Sequence, residues 1–285
     1  MIRTRVPALV GALLLALAAC SSGATSAPAG SSVAPSSTAP SVAAGSPAAP
    51  ASLTIYGAAS LKGALDKVKA AYETANPGTT LTISTDSSSA LETQVEQGAP
   101  ADVFLSADTT NPKKLVDKGM AAGAAVSFAG NKLTIVVPSA NPAGIATPAD
   151  LAREGVKVIA AGDAVPITKY ATQLVANLAK ESGYPADFVA AYTANIASKE
   201  DNVKAVIAKI ELGEGDAGIV YVTDAKASTK VATVDVPDSA NVPATYAGVV
   251  VKASANTASA QAFLAWVAGP DGQAILAGFG FLPPS

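Results

Sequence analysis

The chain has 285 residues, 49% of them hydrophobic, and its 19 Lys and Arg against 22 Asp and Glu leave a net charge of −3. That length supports one large core or two moderate ones, and the lack of any basic block excludes the electrostatic footprint of a nucleic-acid binder. There is no histidine and a single cysteine, Cys20, which removes the commonest general base, the commonest metal ligand and any intramolecular disulfide or zinc cluster, and so speaks against an enzyme.

Residues 1–20, MIRTRVPALVGALLLALAAC, place Arg3 and Arg5 ahead of an apolar run over residues 7–19. The run is too short to span a bilayer and has the layout of a secretion signal, so the chain is expected to be exported. Its end, Leu17-Ala18-Ala19-Cys20, resembles the bacterial lipobox. That resemblance implies cleavage before Cys20 and lipidation of its thiol, which would hold the mature protein at the outer face of the cell membrane. Residues 21–51 consist only of Ser, Ala, Pro, Gly, Thr and Val, and no charge falls between Arg5 and Lys62. Such a segment buries too little to offset its chain entropy and reads as a flexible tether, about 30 Å from end to end as a random coil. Its Ser, Thr and Pro content is equally compatible with glycosylation.

From residue 53 onward, strand-like and helix-like stretches alternate: LTIYGAA then LKGALDKVKAAYETA, TTLTIST then SALETQVEQG, ADVFLSA then PKKLVDKGM. This rhythm predicts β-α-β units and a mostly parallel sheet flanked by helices. NKLTIVVPSANP leads into a second series, GVKVIAA, ITKYATQLVANLAKESG, NVKAVIAKIELGEG and DAGIVYV, and the chain ends with VATVDVP, TYAGVVVKA and one closing helix over residues 257–280. Two α/β series joined by strand-like connections predict two lobes with a cleft, the first from residues 52–131 and 244–285, the second from residues 132–243.

In open α/β sheets a ligand sits beyond the carboxyl ends of the strands, where the following helices begin. The predicted corners are Ala58-Ala59-Ser60-Leu61, Asp86-Ser87-Ser88-Ser89-Ala90, Val165-Pro166-Ile167-Thr168 and Asp201-Asn202-Val203. Each offers first-turn N–H groups and the positive end of a helix dipole, and the first two add hydroxyls, so that together they could make an anion site from neutral donors. Hydrogen bonds to a charged group contribute about 1.5–3 kcal/mol each, so seven or eight could offset the desolvation of a small dianion. Read one at a time, the corners are ordinary: Ser60 and Ser88 are N-cap residue types, as are Asp201 and Asn202, and Pro166 suits a first turn.

The stretches GAASLKGAL and SSSALETQVEQGAPADVFLSAD closely resemble the N-terminal half of the molybdate-binding proteins of ABC transporters, and NKLTIVVP, DAVPITKYA, DNVKAVIAKIELGEGDAGIVYVTDA and GPDGQAILAGFGF match in order downstream. The resemblance covers residues 52–285. It implies a type II periplasmic-binding-protein fold and a monomeric receptor that captures molybdate, and tungstate with it, and delivers it to an ABC permease, with no cofactor and no nucleic acid. Carried over by position, the oxyanion ligands are the hydroxyls of Ser60, Ser88 and Tyr221 and the backbone N–H groups of Ile167 and Val203. Molybdenum is thus held as molybdate, with no ligands for a metal cation.

The chain departs from the family pattern at Ile167, where a small residue is usual, at the neighbouring Lys169, which brings a charge, and at Asp86, whose carboxylate would repel an oxyanion it faced. The triple serine also admits Ser87 and Ser89 as alternative registers. Asp102 and Asp108 belong to the motif but read as structural, because a carboxylate cannot donate to a deprotonated anion. An alternative ligand is another tetrahedral oxyanion, sulfate or phosphate; a phosphate site wants a carboxylate facing the ligand, and Asp86 is the candidate. A serine hydrolase would lack its base, since neither Gly-x-Ser-x-Gly nor Ser-x-x-Lys occurs in the chain. A purely structural surface lipoprotein would bind no small ligand at all.

Overall fold

Apolar residues spaced for one face of a helix follow apolar runs suited to strands, and the chain adopts that alternation. In the computed structural model, which describes residues 51–284, β1 (Ser52–Ala58) enters a 3-10 turn (Ala59–Leu61) and then α1 (Lys62–Ala75). The first series continues with β2 (Thr80–Asp86), α2 (Ser88–Glu96), β3 (Val103–Ser106) and α3 (Thr110–Asp117). The second comprises β4 (Val126–Asn131), β5 (Leu133–Pro138), β6 (Val158–Ala161), α4 (Pro166–Leu178), α5 (Phe188–Ala194), β7 (Ile196–Glu200), α6 (Val203–Glu211), β8 (Ala217–Tyr221), α7 (Val222–Lys226) and β9 (Val231–Val234). The chain then returns through β10 (Ala244–Val250) and closes with α8 (Thr257–Ala268) and α9 (Pro270–Gly278). The expected signal peptide, the lipidation at Cys20 and the tether as far as residue 50 lie outside the described residues.

Two five-stranded sheets result, ordered β2-β1-β3-β10-β4 and β7-β6-β8-β5-β9. Each has three parallel strands, then a reversed strand, then an outer strand antiparallel to that one. The sheets are therefore built alike, and the reversed strand of each, β10 or β5, is the one by which the chain arrives from the other sheet. Only Lys132 separates β4 in the first sheet from β5 in the second. On the return path Asn241 ties the two crossings together, accepting from the Leu133 N–H at 3.0 Å and donating to its carbonyl at 2.9 Å.

Helices cover the sheets through single apolar faces. In α1 the buried residues are Ala64, Leu65, Val68 and Tyr72, and in α6 they are Val203, Val206, Ile207 and Ile210, both at helical spacing. The closeness of this packing explains two glycines. A Cβ on Gly57 in β1 would lie 2.3 Å from Leu65 Cδ1, and one on Gly218 in β8 would lie 2.9 Å from Val206 Cγ1. Each glycine thus lets a helix settle directly on a strand whose end leads to a corner of interest.

Asp102 and Asp108 are structural, as expected. Asp102 Oδ2 accepts from the Thr54 N–H at 2.7 Å, and Asp108 Oδ1 accepts from the Asn111 N–H at 3.0 Å. The expected single closing helix is instead two, α8 and α9, because Gly269 is extended (φ −86, ψ 179) ahead of Pro270, whose ring disfavours a helical residue before it. Sequence reading also passed over β4, α5 and β7. The last, IASKE, is an edge strand with no fully buried residue, so its apolar alternation is faint.

Candidate functional site

The corner after β1 does not use Ser60 as a cap. The N-cap of α1 is Leu61, no side chain caps it, and Ser60 lies within the 3-10 turn with its hydroxyl 2.9 Å from the Tyr246 hydroxyl of β10. At the corner after β2 the cap is Ser87, whose Oγ accepts from the Ala90 N–H at 3.2 Å. Ser88 opens α2 with a different partner: its Oγ accepts from the Ala107 N–H at 3.0 Å, which leaves the serine's own hydrogen uncommitted. The expectation that Ser60 and Ser88 could be ordinary helix caps is therefore overturned.

On the second-sheet side, Pro166 takes the first position of α4 and Ile167 follows it, while Asn202 caps α6 by accepting from Lys204 and Ala205 N–H at 3.1 and 3.2 Å. Ile167 and Val203 stand in the first turns of their helices, where an N–H has no carbonyl one turn back to receive it. Their side chains are buried, so what they can turn toward a ligand is backbone. Tyr221, the last residue of β8, is buried with its hydroxyl unpartnered. Its ring stands edge-on between Tyr170 and Tyr246, with centroids at 6.3 and 5.6 Å, which fixes where that hydroxyl points.

These pieces meet. Ser60, Ser88, Ile167, Val203 and Tyr221 all line one small pocket, completed by Ala58, Ala59, Ser87, Ala107, Val165, Pro166 and Asn202. None of those side chains is charged. Its cavity volume is about 10 Å³, room for about one water-sized group, so the pocket has no space for a peptide or a sugar. A larger hollow, about 270 Å³, shares Ile167 with it, but its walls are mainly apolar and contain neither serine nor Tyr221. Among the described residues no group of three or more Cys, Asp or Glu is placed to hold a metal cation.

Burial pushes the Tyr221 phenol well above its usual pKa, and the nearby Tyr246, Tyr170, Asp224 and Asp108 push it further the same way. It is a donor that does not ionise. Asp224 is itself raised by burial, opposed by Lys204, whose Nζ is 2.8 Å from its Oδ1; that cation is thereby spoken for. The two charges that the sequence placed near the corners are also turned to other use. Asp86 Oδ1 accepts from the Ser87 N–H at 2.7 Å and from Asn202 Nδ2 at 3.0 Å, and Lys169 donates to Thr110 Oγ1 at 2.9 Å. Neither lines the pocket.

A family profile described as bacterial extracellular solute-binding protein matches residues 53–282. The chain belongs to the bacterial extracellular solute-binding proteins. It is 35% identical over 279 residues to a protein of Mycobacterium tuberculosis named molybdate-binding protein ModA, covering 97% of each chain. Among solved structures it resembles the periplasmic molybdate-binding protein of Azotobacter vinelandii, at 26% identity and a TM-score of 0.69 over 82% of this chain and all of that one. The sulfate-binding protein SubI of M. tuberculosis shares the fold, with a TM-score of 0.72, 23% identity, and 81% and 86% of the two chains covered. The two-sheet architecture of this solute-binding protein is that of the type II periplasmic binding proteins.

Sequence reasoning missed Tyr246 and Asn131, which stand behind Ser60. Asn131 Nδ2 lies 2.8 Å from Thr223 Oγ1 and 3.4 Å from the Tyr246 hydroxyl. Tyr246 reads as core in TYAGVVV, and Asn131 as a strand end in NKLTIVVP. Neither position carries a sequence signal for this role, because the pairing joins residues far apart in the chain.

Proposed function

We propose that this solute-binding protein captures molybdate outside the cytoplasm and delivers it to an ABC permease. The observation that carries the reading is a small pocket without a charged side chain in its wall, into which two serines, two helix starts and an unpartnered tyrosine converge. Fully deprotonated tetrahedral oxyanions accept hydrogen bonds and donate none, so neutral donors suffice for them. A micromolar dissociation constant requires about −8 kcal/mol, within reach of several charge-assisted hydrogen bonds at about 1.5–3 kcal/mol each after desolvation is offset. The ligand set is the hydroxyls of Ser60, Ser88 and Tyr221 with the N–H groups of Ile167 and Val203. Tungstate, with the same charge and shape, is a second ligand. Two lobes, residues 52–131 with 244–285 and residues 132–243, close on the anion, because only the closed form gains donors from both. The protein performs no chemistry on its ligand, needs no cofactor, acts as a monomer and is anchored through lipid on Cys20.

Phosphate is the weaker alternative. The carboxylate that its monohydrogen form would want, Asp86, is occupied by Ser87 and Asn202 and is absent from the pocket wall. Isothermal titration of the purified protein with molybdate, tungstate, sulfate and phosphate in separate runs tests the assignment. Tight one-to-one binding of the first two with phosphate silent is the expected result. Heat only with sulfate or phosphate would overturn the ligand, and silence with all four would overturn the oxyanion site.

A further inference from the structure

The buried partners of Ser60 determine which way its hydrogen points. The Lys132 N–H can only donate, and it lies 3.0 Å from Asn131 Oδ1, which fixes the orientation of the Asn131 amide. The Nδ2 of that amide, carrying only hydrogens, then faces Thr223 Oγ1 at 2.8 Å and the Tyr246 hydroxyl at 3.4 Å. The Tyr246 oxygen is thus an acceptor toward Asn131. Leaving the buried Tyr246 hydrogen unpaired would be costly, which favours its donation to Ser60 Oγ, 2.9 Å away, over the reverse direction. In that direction Ser60 accepts, and its own hydrogen is left for the pocket. Ser88 repeats the arrangement by a shorter route, because the Ala107 N–H at 3.0 Å can only donate to it.

We propose that Asn131 and Tyr246 are positioning residues that hold Ser60 as an obligate hydrogen-bond donor, so that the pocket selects oxyanions that only accept and disfavours those that present a proton. The inference rests on the reading of Ser60 as an oxyanion ligand. It assigns a role to residues that touch no ligand. Ser60, Thr223, Asn131 and Tyr246 are buried, Asn131 at 1% and Tyr246 at 0% exposure, so solvent does not supply alternative partners that would let the hydroxyls turn. The chain also starts where the backbone passes between sheets, since Asn131 ends β4 and Lys132 alone precedes β5.

The test is a double-mutant cycle on the full-length protein, with molybdate titrated into wild type, Ser60→Ala, Tyr246→Phe and the double variant. Phe keeps the ring contacts with Tyr221 and Phe281, at 5.6 and 5.4 Å, and removes only the hydroxyl. Ser60→Ala is expected to weaken binding about 10- to 100-fold and Tyr246→Phe about 3- to 10-fold, with no further loss when Tyr246→Phe is added to Ser60→Ala. Tyr246→Phe should also narrow the preference for molybdate over monohydrogen phosphate, since Ser60 could then turn its lone pairs to a protonated oxygen. An unchanged dissociation constant in Ser60→Ala would overturn the ligand role of Ser60 and this inference with it. A weakened Ser60→Ala beside a silent Tyr246→Phe, or additive losses in the double variant, would overturn the relay alone. If Tyr246→Phe melts too early to titrate, Asn131→Asp gives the same information. A carboxylate there takes the Tyr246 hydrogen and reverses the chain, so molybdate binding should fall further than phosphate binding, and equal losses would overturn the relay.

Discussion

Ser60 and Ser88, on the first-sheet side of the pocket, are the proposed side-chain donors; the Ser60 hydroxyl pairs with that of Tyr246, and the Ser88 oxygen accepts from the Ala107 N–H. Ile167 and Val203, on the second-sheet side, bring N–H groups at the starts of α4 and α6 and bury their side chains in the core. Only Tyr221 adds a hydroxyl from that side. One side depends on which residue occupies each position, whereas the other depends on where a helix begins. Alanine substitution therefore reports on the first side and, on the second, only at Tyr221.

The strongest break in that comparison is Val203→Pro. Asn202 is extended (φ −157, ψ 171) and Val203 is the first helical residue of α6, the position where proline is best accommodated and the preceding residue already has a suitable conformation. The helix should survive while its leading N–H is lost and a ring methylene takes its place. Molybdate affinity is expected to fall about 100-fold or more, since a charge-assisted hydrogen bond is deleted and the anion crowded. Val203→Ala keeps the N–H and should bind within a few-fold of wild type at some loss of stability, as buried aliphatic truncations generally show. Equal affinities for the proline and alanine variants would remove Val203 from the site.

The same contrast sets what could be read from the residues. Most strands, most helices and the four corners were legible because apolar periodicity and cap residue types are local properties, as in LTIYGAA or in NVKAVIAKIELGEG. Tyr221 came from resemblance alone, since a tyrosine ending GIVY is indistinguishable from core packing until its hydroxyl is found without a partner. Tyr246 was illegible for a further reason: 186 residues separate it from Ser60, and no local pattern encodes such a pairing. Asp86 and Lys169 misled in the opposite sense. Their charges stand beside the corner in sequence, but their side chains bond to Ser87, Asn202 and Thr110 instead.

Asp86 offers a smaller and sharper test, because its bond to Asn202 links the end of β2 in the first sheet to the cap of α6 on the second. Asp86→Ala breaks that link and leaves Ser60, Ser88, Ile167, Val203 and Tyr221 in place, while it frees the Ser87 N–H and the Asn202 amide at the pocket's edge. Molybdate affinity should fall only about threefold, consistent with the net worth of one partly exposed hydrogen bond, and phosphate should remain excluded. A gain in molybdate affinity would show instead that the carboxylate's repulsion of the anion outweighs its service as a link.

The smallest expected effect is that of pH. Burial raises the Tyr221 phenol well above its usual value of about 10, and the neighbouring Asp224 and Asp108 carboxylates raise it further, so raising the pH toward 9 removes no proton from it. The Tyr246 phenol, behind Ser60, is raised by burial in the same way. Serine hydroxyls and backbone N–H groups do not titrate in this range, and no carboxylate or ammonium lines the wall. The dissociation constant for molybdate should accordingly stay within about twofold between pH 6 and pH 9, measured at constant ionic strength. Weakening toward pH 9 would mean that a tyrosine donor ionises despite its burial. Tightening toward pH 6 would place a protonating group within reach of the anion, and the pocket would then no longer be a site of neutral donors alone.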